Sequence, residues 1–136
     1  MKSWHCFILF AIGCFALQCK SSESTKVTGG GKGGNVTILV TPEYYGAYVD
    51  TCTVYIKYGT LDAPAGNVYD DSAVCTLIGG ISIATFSNLK IGLYYFLAVG
   101  YHMEGGHPPD VKGGAQKTVQ SNGTVNVYVP TTWFIP

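Results

Sequence analysis

From Asn35 to Val129, apolar and polar positions alternate in short runs, each closed by turn-forming residues. A period of two puts successive side chains on opposite faces, so these runs predict strands rather than helices. Strands are expected near 35–41, 51–58, 72–78, 81–87, 93–102, 114–120 and 123–130. Cys52, Val54, Ile56 and Tyr58 share one face while Thr53, Tyr55 and Lys57 share the other. Val125, Val127 and Val129 likewise oppose Asn126 and Tyr128. One face of each strand belongs to a core. Gly79-Gly80 and Asn122-Gly123 fall between paired runs and predict tight hairpin turns. The expected fold is all-β, with almost no helix: an antiparallel Greek-key β-sandwich of about seven strands.

The pattern differs ahead of that block. Lys20 to Gly34 has no apolar periodicity and is rich in Gly, Ser and Thr. It predicts a flexible tether with a root-mean-square reach of roughly 20 Å. A phosphate-binding loop is not expected from Gly29 to Gly34, because a strand rather than a helix follows. Earlier still, Met1-Lys2-Ser3 precedes an apolar run from Trp4 to Leu17. That run is about 14 residues, short of the roughly 20 needed to span a bilayer, so it predicts a cleavable signal peptide. The expected division is a signal at 1–18, a tether at 19–34 and a β-sandwich domain at 35–136.

The junction Ala16-Leu17-Gln18-Cys19 resembles a bacterial lipoprotein signal, in which cleavage occurs just before a lipidated cysteine. Cys19 is the expected lipidation site, although Gln18 departs from the usual small residue. Cys14, preceded by Ala11-Ile12-Gly13, is the rival, and secretion without lipid is the third reading. The resemblance implies an N-terminal lipid, palmitate included, that anchors the chain to a membrane. It implies a place in the cell envelope, at the bacterial outer membrane or cell surface. Cys52 and Cys75 then remain as an even pair in an oxidising compartment, either bridged or buried as free thiols.

Charge narrows the partners. Counted from Cys19 there are seven Lys, no Arg and eight acids, for a net charge of −1. Scattered lysines without Arg exclude nucleic acid as an expected partner.

The most informative local signal is Ala84-Thr85-Phe86-Ser87-Asn88-Leu89-Lys90-Ile91-Gly92-Leu93-Tyr94. Phe86 and Leu89 are placed to plug a core at a corner, and Gly92 to permit the turn. Tyr94 is placed to fold inward and return its hydroxyl to the backbone a few residues upstream, as in a tyrosine corner. This spacing resembles prealbumin-like sandwiches, among them carboxypeptidase regulatory-like domains and collagen-adhesin B-type repeats. Gly113-Gly114-Ala115 and the run from Gly123 to Pro130 fit the same pattern, with Ile91 in place of a frequent Pro. The resemblance implies a stalk, accessory module or surface binder with no catalytic role. The Lys–Asn crosslink of some such repeats is not expected, because Lys57 lies opposite the core face.

Candidate chemistry is sparse, and neither a catalytic residue nor a cofactor is expected. The loop His102 to Asp110 holds His102 and His107 with two carboxylates. A metal or hydrolytic site there is the minor alternative to a solvated connection. Asp62 and the segment Asn67 to Ser72 offer oxygen ligands but lack the calcium-loop alternation, and turn chemistry explains them. The aromatic surplus points to binding. Tyr95, Leu97, Val99 and Tyr101 lie opposite Tyr94, Phe96 and Ala98, leaving both faces of one strand apolar. That face is either covered by its neighbours or a binding surface, with Tyr95 and Tyr101 as candidates for a protein or glycan ligand. A non-enzymatic binding or adhesion module is the expected function, and a structural accessory subunit the alternative. Oligomeric state is not specified by these features.

Overall fold

The computed structural model describes residues 25–101 and 110–134. The expected signal, Cys19, and the loop carrying His102 and His107 lie outside the described residues. Among the described residues nine strands form: β1 (Lys32–Tyr44), β2 (Ala47–Tyr48), β3 (Thr51–Tyr58), β4 (Asp71–Val74), β5 (Thr76–Ile78), β6 (Ile81–Leu89), β7 (Gly92–Tyr101), β8 (Asp110–Val119) and β9 (Gly123–Trp133). Ala65–Asn67 makes a single 3-10 turn. The chain is thus all-β among the described residues, and none of these residues forms a helix long and apolar enough to cross a membrane.

The strands follow the order β4-β3-β7-β8-β9-β1-β6-β5, with β2 paired to β1. The two end strands are consecutive in the chain, separated only by Cys75, so the sheet is nearly closed into a barrel. Most neighbours are antiparallel, but β1 and β9 run parallel from Val36↔Gly123 to Tyr44↔Thr131.

Alternation sorts the side chains as expected. Val36, Ile38 and Val40 of β1, Val54 and Ile56 of β3, and Phe86 and Leu89 of β6 join one buried cluster. Ala84 of β6, Tyr94, Phe96 and Ala98 of β7, Val119 of β8, and Val127 and Val129 of β9 complete it. A smaller cluster of Tyr44, Val49, Cys52 and Val111 fills one end.

Three features differ from the sequence expectation, and two match a reading it held. The run 72–78 is not one strand: it pairs with β3 up to Val74 and with β6 from Thr76, changing partners at Cys75. Cys75 is disulfide-bonded to Cys52, with the Cα atoms 5.5 Å apart, so the bridge ties β3 to the point where the chain changes partners. Gly79-Gly80 forms the expected two-residue turn with both φ positive, joining Ile78 to Ile81. Asn122-Gly123, by contrast, does not close a tight hairpin. The β8–β9 ladder forms only at the far end, at Val111↔Trp133 and Lys112↔Thr132. Pro130, with no N–H to donate, lies just beyond that ladder, and over the rest of their length β8 pairs with β7 and β9 with β1.

The third difference concerns the tether. The first strand starts at Lys32 rather than Asn35, and the glycines before it are bonded to the domain. Leu93 N–H donates to Gly29 C=O, and Lys90 N–H donates to Gly31 C=O. Backbone bonding from Gly29 onward moves the expected boundary of the tether toward the N-terminus, because a glycine strap fits where side chains would not.

Candidate functional site

The corner at Lys90–Tyr94 fixes one end of β7. Tyr94 is fully buried, and its hydroxyl donates to Lys90 C=O while accepting from Gly31 N–H at 3.2 Å. Burial pushes its phenol pKa up. Asn88, within β6, takes a left-handed conformation, φ 58°, where the β1–β6 register shifts between Ile38↔Phe86 and Val36↔Leu89. Gly92 serves the corner differently from expectation. Its φ is not in the left-handed region, but a Cβ there would come within 2.5 Å of Gly29 O and Gly30 Cα. Gly92 therefore makes room for the strap.

With Tyr94, Phe96 and Ala98 committed inward, β7 turns Tyr95, Leu97, Val99 and Tyr101 outward. The register sets Lys57, Tyr55, Thr53 and Thr51 of β3 opposite these four in turn. On the other side, Gln116, Gly114 and Lys112 of β8 stand opposite Tyr95, Leu97 and Val99. Gly114 lets Tyr95 lie down across β8: a Cβ there would sit 2.1 Å from the Tyr95 hydroxyl. Tyr95 is accordingly half-buried, whereas Tyr101 at the strand end is 49% exposed. The two sequence candidates share one face but stand at its opposite ends. Leu97 forms the floor between them and is 9% exposed.

Two tyrosines complete the face. Tyr55 of β3 and Tyr69, in the segment leading into β4, bring their ring centroids to 5.6 Å at 44°. Desolvation, together with the nearby Tyr95, raises the Tyr69 pKa. These rings and Leu97, with Asn67, Asp70, Asp71 and Ser72, line a groove of about 540 Å³. A second depression continues from Tyr55 along Thr53 and Val99 to Tyr101 and Phe134. Lys112 sits 5.1 Å over the Phe134 ring. Tyr55 was legible as an outward residue from its alternation with Val54 and Ile56. Tyr69 was not, because its segment read only as a turn rich in Asp and Asn.

The acids of the groove are already engaged. Asp70 accepts from Tyr58 N–H at 2.8 Å and from Lys57 Nζ at 3.0 Å, which together hold its carboxyl below the usual range. Lys32 Nζ lies 2.7 Å from Asp71, lowering the Asp71 pKa while its own rises. The oxygen-rich segment considered for calcium thus spends its carboxylates on lysines and backbone. Among the described residues no group of three or more His, Cys, Asp or Glu side chains converges. The groove can stack rings on an apolar surface and exchange hydrogen bonds through Asn67, Ser72 and the phenol hydroxyls. Compared with protein-family models, with curated proteins and with solved structures, the chain matches none.

Proposed function

We propose that this chain is a lipid-anchored module of the cell envelope, displayed at the bacterial outer membrane or cell surface, with a non-enzymatic binding or adhesion role. The observation that carries this reading is the outward face of β3 and β7, where Tyr55, Tyr69, Leu97, Val99 and Tyr101 form a continuous apolar and aromatic track along central strands. In an antiparallel sheet an outward face facing only water is ordinarily polar. The fold is read as a prealbumin-like Greek-key sandwich, on the support of the Tyr94 corner and the change of partner strand at Cys75. The membrane is reached through lipid on Cys19, and the ligand is a glycan or protein.

A structural accessory subunit is the second reading, favoured by the edge around β4 and β5, where Val74 is 68% and Leu77 70% exposed. Two measurements separate the possibilities. Palmitate labelling with intact-mass analysis should give an acylated chain beginning at Cys19, absent in Cys19→Ala; an unacylated chain beginning elsewhere contradicts anchoring. Hydroxyl-radical footprinting of intact cells should oxidise Tyr101 and Tyr55 as readily as in the isolated full chain. Strong protection in cells that is lost on detergent extraction would indicate a face buried in a complex.

A further inference from the structure

We infer that the groove between Tyr55, Tyr69 and Leu97 binds a neutral oligosaccharide in an extended conformation. This rests on the reading of the outward face as a binding surface and assigns the ligand class. Three observations select it.

The first is charge. Asp70 and Asp71 are matched by Lys57 and Lys32, so the groove presents no unbalanced charge to an ionic ligand. The second is the pairing of apolar and hydrogen-bonding groups. Sugar rings offer C–H faces that stack on aromatic rings and rims of hydroxyls that both donate and accept. Tyr55 and Tyr69 supply tilted ring faces over the Leu97 floor, while Asn67 and Ser72 supply the polar rim. Asn67 ends the 3-10 turn with a left-handed backbone, φ 55°.

The third observation is the hydrogen-bonding state of the strands. β3 is paired on both sides, with β4 and β7, and β7 with β3 and β8. An extended peptide lying over β3 and β7 would find no free ladder on those two strands for its own amides, which are costly to leave unsatisfied, and the open ladder beside the groove is the outer edge of β4. Hydroxyl groups need no ladder. The track also has length: the four residue steps from Leu97 to Tyr101 at roughly 3.3 Å each give about 13 Å, suiting more than one sugar ring.

The test is isothermal titration of the full chain in detergent micelles with cellotetraose, maltotetraose, tetra-N-acetylchitotetraose and tetragalacturonate, beside selection from a random heptapeptide display library. At least one neutral tetrasaccharide should bind, and Tyr69→Ala and Asn67→Gly should each weaken it by about tenfold, as expected for loss of a stacking or rim contact. Tyr128→Ala, at an exposed position of β9 away from the groove, should leave binding unchanged. Both groove variants alter exposed or half-buried loop positions, and their unchanged thermal melting should accompany the loss. Failure of every neutral sugar to bind, or neutral binding unaffected by both groove variants, overturns the inference. If the anionic sugar or a peptide binds instead with Tyr69 dependence, the ligand class falls but the binding-module reading stands. If nothing binds, both fall.

Discussion

Tyr94 concentrates three roles in one side chain: it fills the core, bonds Lys90 C=O four residues upstream, and takes the Gly31 N–H of the strap. Tyr94→Phe keeps the ring but leaves both backbone groups without that partner, so unfolding free energy in urea should fall by about 1–3 kcal/mol. The corner was legible because its residues are local: Leu89, Gly92 and Tyr94 lie within one turn of chain. The Gly31 partner was not, since it is 63 residues away and glycines carry no periodicity. Asp70 and Asp71 add a pH dependence. Both carboxyls bind protons more weakly folded than unfolded, so their stabilisation is complete above the ordinary carboxylate range and is lost as pH falls through it. Urea midpoints should drop between about pH 5 and pH 2, and the drop should be shallower in Asp70→Asn. An unchanged slope would mean that the pair is too well solvated to matter.

Alternation revealed β3, β7 and β9 because each has one wholly inward set, such as Cys52, Val54 and Ile56. It missed the start of β8, where Lys112-Gly113-Gly114 offers no apolar rhythm although the ladder with β7 is continuous. It also merged β4 with β5, because a change of partner leaves the local pattern intact. The Cys52–Cys75 bridge spans a sequence separation of 23, which in the chain-entropy model stabilises the fold by about 3 kcal/mol. Combining Cys52→Ala and Cys75→Ala should remove about that much, read from denaturant melts. At the strap, Gly92→Ala forces the Gly29–Gly30 backbone away, since its Cβ would lie 2.5 Å from Gly29 O. Amide exchange at Leu93 and Lys90 should then accelerate, because their acceptors are Gly29 and Gly31. Unchanged protection there would show that the strap is not held by this close approach.

Over the whole molecule, the strap enters beside the corner and Gln120, while the turn at Tyr45–Gly46 and Trp133 lie at the other end of the strands. In the proposed tethered arrangement the Tyr55–Leu97 groove lies along the flank of the domain rather than at the end bearing Tyr45–Gly46 and Trp133. The face was half legible: the outward set on β7 was apparent from its second apolar stripe, but the groove depends on Tyr69, brought over Tyr55 by the segment leading into β4. The proposed binding role is tested most directly in intact cells by placing a photo-crosslinking residue at position 101, at 55, or at the exposed position 128 of β9. Irradiation should yield adducts with external or envelope material from positions 55 and 101 and none from 128. Equal labelling from all three positions, or none from 55 and 101, would contradict a binding face on β3 and β7.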